Sequence, residues 1–240
     1  MKRVRGAVVR GLVWVRQADA FVLAGLLAAA AGVWVFLAVA NWVAEGTTRQ
    51  ADEAVVLALR EPDDPADPIG PRWVEEGARD LTALGGYTVL TLLVGAVLGY
   101  LVLGRHYPAA LLVLVATAGG GALSMALKGV FARPRPALVP HLSFAATSSF
   151  PSGHSMLAAV TYLTLGALLA RLVRPWWAKL YFPAVAAVLA GLVGASRVYL
   201  GVHYPTDVVA GWAAGLAWAV GCWLAARYLQ RRGVVDRTAG

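Results

Sequence analysis

Six stretches of about 20 predominantly apolar residues run through this chain, near 20–43, 82–104, 109–130, 152–173, 180–200 and 206–226. A helix crossing the hydrocarbon core of a bilayer needs about that many. The pattern predicts an all-α, polytopic membrane protein, with six transmembrane helices in one bundle and a single domain over 1–240. The first, second and sixth stretches are cleanly bounded. The third, fourth and fifth carry polar residues at one end. Gly95 with Gly99, and Gly211 with Gly215, form small-xxx-small pairs expected to let helices pack closely.

Composition supports a bilayer setting. Hydrophobic residues make up 59% and charged residues only 14%, where a soluble domain carries about a quarter charged. The net charge of +8 could suggest a nucleic-acid partner. However, the cations sit at the ends of apolar stretches, and no basic patch is interleaved with aromatics, so no nucleic acid is expected. The lone cysteine, Cys222, has no intrachain partner. With no cysteine cluster, a zinc or iron–sulfur centre is not expected. The N-terminal cations Lys2, Arg3, Arg5, Arg10 and Arg16 precede an apolar run too long for a signal-peptide core, which reads as an uncleaved first span.

Six spans put both termini on one side. Arg105 joins them there, with Arg171, Arg174 and Lys179, and Arg227, Arg231, Arg232 and Arg237 after the last span. By the positive-inside rule that side is cytoplasmic. The opposite side holds segment 44–80, with ten acidic and four basic residues. Within it Ala51–Leu59 suits a short amphipathic helix, and Pro62, Pro65, Pro68 and Pro71 break the chain beyond that helix. The segment could serve as a lid or lateral guide, or as a plain solvated connector. Trp42, Trp73, Trp176, Trp177 and Tyr181 near span ends form the expected aromatic belt.

Three polar clusters fall on that same outer side. Lys128 through Arg133–Pro134 to Arg135–Pro136 ends the third span. Pro151–Ser152–Gly153–His154 begins the fourth. Ser196–Arg197, His203 and Asp207 bridge the fifth and sixth. Charge beside a bilayer is costly unless paired or functional, and this convergence suits phosphoryl transfer. Lys128, Arg135 and Arg197 can neutralise a phosphate and the equatorial oxygens of its transition state. Ser152 and Gly153 open a helix whose free N–H groups can bind the anion. A neutral His203 imidazole can attack phosphorus to give a phosphohistidine, with Asp207 fixing its tautomer. His154 can then protonate the leaving group and activate water. The Tyr204–Pro205 step places His203 just outside a helix and Asp207 in its first turn. Arg133 is expected to act only at second remove, and His106 and His141 read as loop residues.

Lys128-x6-Arg135-Pro136, Pro151-Ser152-Gly153-His154 and Ser196-Arg197-x5-His203-x3-Asp207 together resemble the three signature motifs of the type-2 phosphatidic acid phosphatase superfamily, in its bacterial membrane branch. The resemblance covers nearly the whole chain except 44–80. It implies His203 as nucleophile, His154 as acid and base, Asp207 as its support, and Lys128, Arg135, Ser152, Gly153 and Arg197 as phosphate ligands. It further implies a metal-independent, cofactor-free lipid phosphatase of the bacterial inner membrane, with its site facing the periplasm or cell exterior. The expected substrate is a lipid phosphate such as undecaprenyl pyrophosphate, phosphatidylglycerophosphate or phosphatidic acid. Membrane lipids are the other expected partner, and no obligate protein partner is inferred. Each motif alone has a plain structural reading: a snorkelling lysine, a loop-anchoring arginine, a helix start, a bonded His–Asp pair. Two rival functions use the same residues, a lipid phosphotransferase and an anion transporter. Transporter sites usually lie near the bilayer midplane, whereas these charges cluster at one end.

Overall fold

A computed structural model describes residues 2–143 and 147–232, with side chains from residue 20 onward. Arg237, and the side chains of Lys2, Arg3, Arg5, Arg10 and Arg16, lie outside the described residues. Eight helices and one hairpin come in the order α1 Lys2–Ala44, α2 Arg49–Leu57, β1 Arg60–Glu61, β2 Asp64–Pro68, α3 Arg72–Ala83, α4 Tyr87–Leu103, α5 Tyr107–Phe131, α6 Gly153–Leu172, α7 Trp176–Tyr199 and α8 Pro205–Arg231. The small antiparallel β1–β2 pair is the one departure from all-α structure among the described residues.

Among the described residues, five helices are long and apolar enough to cross a membrane: α1 from Ala20, then α5, α6, α7 and α8. At 25 residues, α5 is about 37 Å long, enough for a hydrocarbon core of about 30 Å. The second span differs from the 82–104 expected. Its apolar helix α4 has only 17 residues, and it reaches span length only with α3, across a 46° bend. Gly85 and Gly86 occupy the break, and Gly is the poorest ordinary helix former. A Cβ on Gly85 would overlap Val193 and lie 3.1 Å from the His154 carbonyl oxygen. The break thus lets the second span close against the start of α6.

Packing centres on α8, which lies along α1 and α6, with α5 and α7 flanking α6. Gly211 and Gly215 make the close approach expected of them. Added Cβ atoms would sit 2.7 Å from the Ser152 and Met156 carbonyl oxygens of α6. Gly95 and Gly99 do not pack: nothing lies within 4 Å of where their Cβ atoms would stand. Gly95 instead lines an apolar cavity. Trp73, Trp176, Trp177 and Tyr181 are 58–75% exposed at helix ends, as an aromatic belt requires.

Segment 44–80 is neither bare connector nor free lid. The expected amphipathic helix forms as α2, and Pro71 caps α3 where only broken chain was expected. Asp52 and Val56 turn inward from one face of α2, at the i, i+4 spacing, and beyond its end Arg60 is buried and Leu59 half-buried. Val56 joins a buried cluster with Val139, Val198, Tyr204 and Val208. Arg60 donates to the Tyr199 carbonyl at 2.9 Å, capping the C-terminal end of α7.

Candidate active site

Chain reversal at one end of the bundle brings the three clusters together. The C-terminal ends of α5 and α7 and the N-terminal ends of α6 and α8 meet there. Lys128 is buried in the last turn of α5 and donates to the Ser148 carbonyl at 2.6 Å. Its Cε lies 3.3 Å from where a Cβ on Gly153 would stand, so the absence of a side chain there makes room for the lysine. Ser152 caps α6. Its Oγ accepts from the Ser155 Oγ at 2.9 Å, which leaves its own proton to donate. It also accepts the Ser155 N–H at 3.4 Å, while the N–H groups that open a helix otherwise have no acceptor within it.

Gly201, at φ +70°, turns the chain sharply after α7. Beside that turn Arg135 anchors the motif loop, donating to the carbonyls of Thr147 at 2.8 Å and Val202 at 2.6 Å. Its Nη1 also lies 3.2 Å from His203 Nε2. A guanidinium only donates, so Nε2 is the acceptor and the imidazole proton sits on Nδ1. That atom faces Asp207 Oδ2 at 3.4 Å, longer than an ordinary hydrogen bond but of the kind that tightens when a substrate is bound. His203 is almost wholly buried. Burial pushes its pKa down to about 4, against the opposing pull of Asp207, and Arg135 and Arg197 act in the same direction as burial. The ring is therefore neutral at pH 7, with its Nε2 lone pair turned toward a cation.

Asp207 is held on every side. Arg133 Nη1 donates to Oδ1 at 2.6 Å. On Oδ2 it receives the Tyr204 N–H at 2.9 Å and the Ser149 hydroxyl. Arg133 thus touches the supporting carboxylate and stands one residue removed from His203. Burial alone would lower its pKa, but Asp207 and Asp52 outweigh that and raise it. Arg197 is 1% exposed and donates to Thr82 at 2.9 Å and Ser143 at 3.2 Å. Its Nε is buried with no partner, which suits a cation waiting for an anion. His154 lies in the electrostatic field of Arg197, His203, Arg135 and Lys128. All eight expected residues, Lys128, Arg135, Ser152, Gly153, His154, Arg197, His203 and Asp207, stand at this one end of the bundle, with Arg135, His203 and Asp207 adjoining one another and Lys128 packed beside Gly153.

Sequence reasoning missed Ser149, Asp52 and Thr82. No pattern separates Ser149 from Ser148 beside it. Asp52 did carry a signal, since it falls on the apolar stripe of its own amphipathic helix. His141 is a loop residue as expected, 2.7 Å from the Pro136 carbonyl oxygen, and His106 caps the start of α5.

A buried imidazole, backed by a carboxylate and in contact with an arginine, stands at the end of a membrane bundle. Residues 109–231 match the PAP2 superfamily, and the chain belongs to that family; it is a multi-pass membrane lipid phosphatase. Phosphatidylglycerophosphatase B of Bacillus subtilis is 34% identical over 188 residues, 75% of this chain and 86% of that protein. An undecaprenyl-diphosphatase of Sulfolobus acidocaldarius is 40% identical over 67 residues, 28% of each chain. Among solved structures, the transmembrane PAP2-type phosphatidylglycerolphosphate phosphatase from Bacillus subtilis superposes with a TM-score of 0.70 at 29% identity. That match covers 87% of this chain and 99% of the other. Aquifex aeolicus LpxE superposes with a TM-score of 0.52 at 26% identity, covering 71% and 92%.

Proposed function

We propose that this chain, as one domain, removes phosphate from a membrane lipid through a phosphohistidine on His203, and that its substrate is a glycerophospholipid phosphomonoester such as phosphatidylglycerophosphate. The pairing of His203 Nε2 with Arg135 at 3.2 Å, opposite Asp207, carries the reading. A phosphate drawn to Lys128, Arg135, Arg197 and the start of α6 would meet the Nε2 lone pair in place of the arginine. The Nε2–P bond forms as the P–O bond to the lipid breaks, and His154 gives its proton to the departing oxygen. Asp207 stabilises the imidazolium character of the intermediate. A water, deprotonated by His154, then attacks phosphorus, and the P–N bond breaks to free phosphate and neutral His203.

The substrate class rests on the extent of likeness to the Bacillus phosphatidylglycerophosphatase and on an apolar cavity of about 360 Å³ between α4, α5 and α6. Leu157 and Thr161, one and two turns below His154, line it, so an acyl chain can lie in the cavity while its headgroup meets the cations. The test is phosphate release from purified protein in detergent with phosphatidylglycerophosphate, phosphatidic acid and undecaprenyl pyrophosphate. A strong preference for the pyrophosphate would overturn the glycerophospholipid assignment.

Activity is expected to survive EDTA. Both oxygens of Asp207 and of Asp52 are already occupied by arginine, hydroxyl and N–H donors, which leaves neither carboxylate free to hold a cation. Vanadate should inhibit as a mimic of pentacoordinate phosphorus. Loss of activity on chelation, restored by Mg²⁺, would contradict this.

The site is assigned to the outer face of a bacterial inner membrane, because the cations outside the motifs crowd the opposite ends of the spans. In a Cys222→Ala background, Ala66→Cys in the exposed hairpin should react with an impermeant maleimide in intact spheroplasts. Pro175→Cys, in the α6–α7 turn, should react only after the membrane is opened. The reverse pattern would place the site in the cytoplasm.

A further inference from the structure

We propose that Asp52, carried on α2 outside every motif, is a positioning residue that acts through Arg133 and Asp207 to hold His203 in line. The proposal rests on His203 being the nucleophile. Asp52 is only 2% exposed. Its Oδ1 accepts the Thr206 N–H at 3.1 Å, at the N-terminal end of α8, and its Oδ2 accepts the Thr206 hydroxyl at 2.6 Å. Arg133 Nη2 reaches the same Oδ2 at 2.8 Å, while Nη1 reaches Asp207 at 2.6 Å. The guanidinium also lies over the Tyr204 ring, 4.4 Å from its centroid.

A guanidinium is planar, so fixing one arm aims the other. Asp52 fixes the Nη2 arm, and the Nη1 arm then occupies Asp207 Oδ1. That contact holds the Oδ1 side of the carboxylate while the Tyr204 N–H and the Ser149 hydroxyl hold Oδ2, which faces His203 Nδ1. With Asp52 gone, the Nη2 arm would lose its partner and the fork would be held only through Nη1, by Asp207 and the Thr206 hydroxyl at 2.9 Å, so the 3.4 Å His203–Asp207 pair would lose part of its alignment. None of Lys128, Arg135 or Arg197 is bonded to Asp52, so substrate binding should be spared. The insert would therefore set how fast the phosphoryl group moves and leave unchanged how tightly the lipid is held.

The test is steady-state phosphate release from short-chain phosphatidic acid in detergent, with rates expressed per folded enzyme from thermal unfolding curves. Asp52→Asn should lower kcat about tenfold and Arg133→Gln about a hundredfold, with KM changed by no more than about twofold. Because both act through one bridge, the double variant should be no slower than Arg133→Gln alone. If Asp52→Asn does not fold, Arg133→Lys, which keeps the charge and loses the fork, should show the same fall in kcat at constant KM. Wild-type kcat in the folded variants, a loss carried by KM, or losses that multiply in the double variant would each overturn the proposal. His203→Ala separates the two ideas. Activity in that variant would sink the nucleophile reading itself, whereas an inactive His203→Ala beside a fully active Asp52→Asn would sink only the positioning role.

Discussion

Alanine in place of His203 is expected to reduce lipid phosphate hydrolysis by at least about 10⁴-fold, as loss of a covalent nucleophile does elsewhere. The magnitude reflects how the site is closed. His203 is 1% exposed and held between Arg135 and Asp207, so the truncated side chain leaves no second nitrogen aimed at the phosphate. Water arriving in its place would meet the same cations without a covalent route. The anion site itself should survive, because Lys128 and Arg197 are fixed by Ser148, Thr82 and Ser143. The variant should still bind inorganic phosphate, read by calorimetry, while turning nothing over. Retention of more than about one-hundredth of wild-type turnover would show that another group attacks phosphorus.

Replacing His154 by alanine should slow hydrolysis of natural lipids by about 10²- to 10⁴-fold, the range over which general acid–base groups act. The loss should depend on the leaving group. A lipid alkoxide departs poorly without a proton, so with lipid substrates the first step fails. An aryl phosphate leaves readily, so with that substrate His203 should still be phosphorylated while hydrolysis of the P–N bond lacks its base. Labelled phosphate should then accumulate on the protein in an acid-labile, alkali-stable form. Equal losses for lipid and aryl substrates, with no trapped phosphoenzyme, would remove His154 from both roles.

Much of this architecture was readable from residue order. Apolar stretches long enough to span a bilayer must become helices because lipid offers the backbone no other hydrogen-bond partners. That constraint acts on each segment by itself, so five spans were legible without any tertiary information. The ends of α5, α6, α7 and α8 were equally legible, because Lys128, Ser152, Arg197 and the Tyr204–Pro205 step punctuate the helices locally. The motif spacing then placed the charges on one face without any knowledge of packing. Local rules also misled. Gly95 and Gly99 have the same spacing as Gly211 and Gly215, yet only the second pair meets a neighbouring backbone.

Pairing between distant segments was not legible. The bend between α3 and α4 exists because Val193 and the start of α6 come close to Gly85, and hydropathy registers only that the stretch is apolar. Arg133 could be placed only at second remove, with no partner named, because its two carboxylate partners lie 74 and 81 positions away. Asp52 falls on the inward face of its helix, but nothing in residue order names its partners, Arg133 and Thr206, before α2 is docked on α8. Residue order alone determined which segments enter the membrane and which chemical groups stand at their ends, since those depend on hydrogen bonding and solvation within single segments. The tertiary structure alone decided which carboxylate meets which arginine, because a buried charge is stabilised by whatever the fold brings within about 3 Å of it.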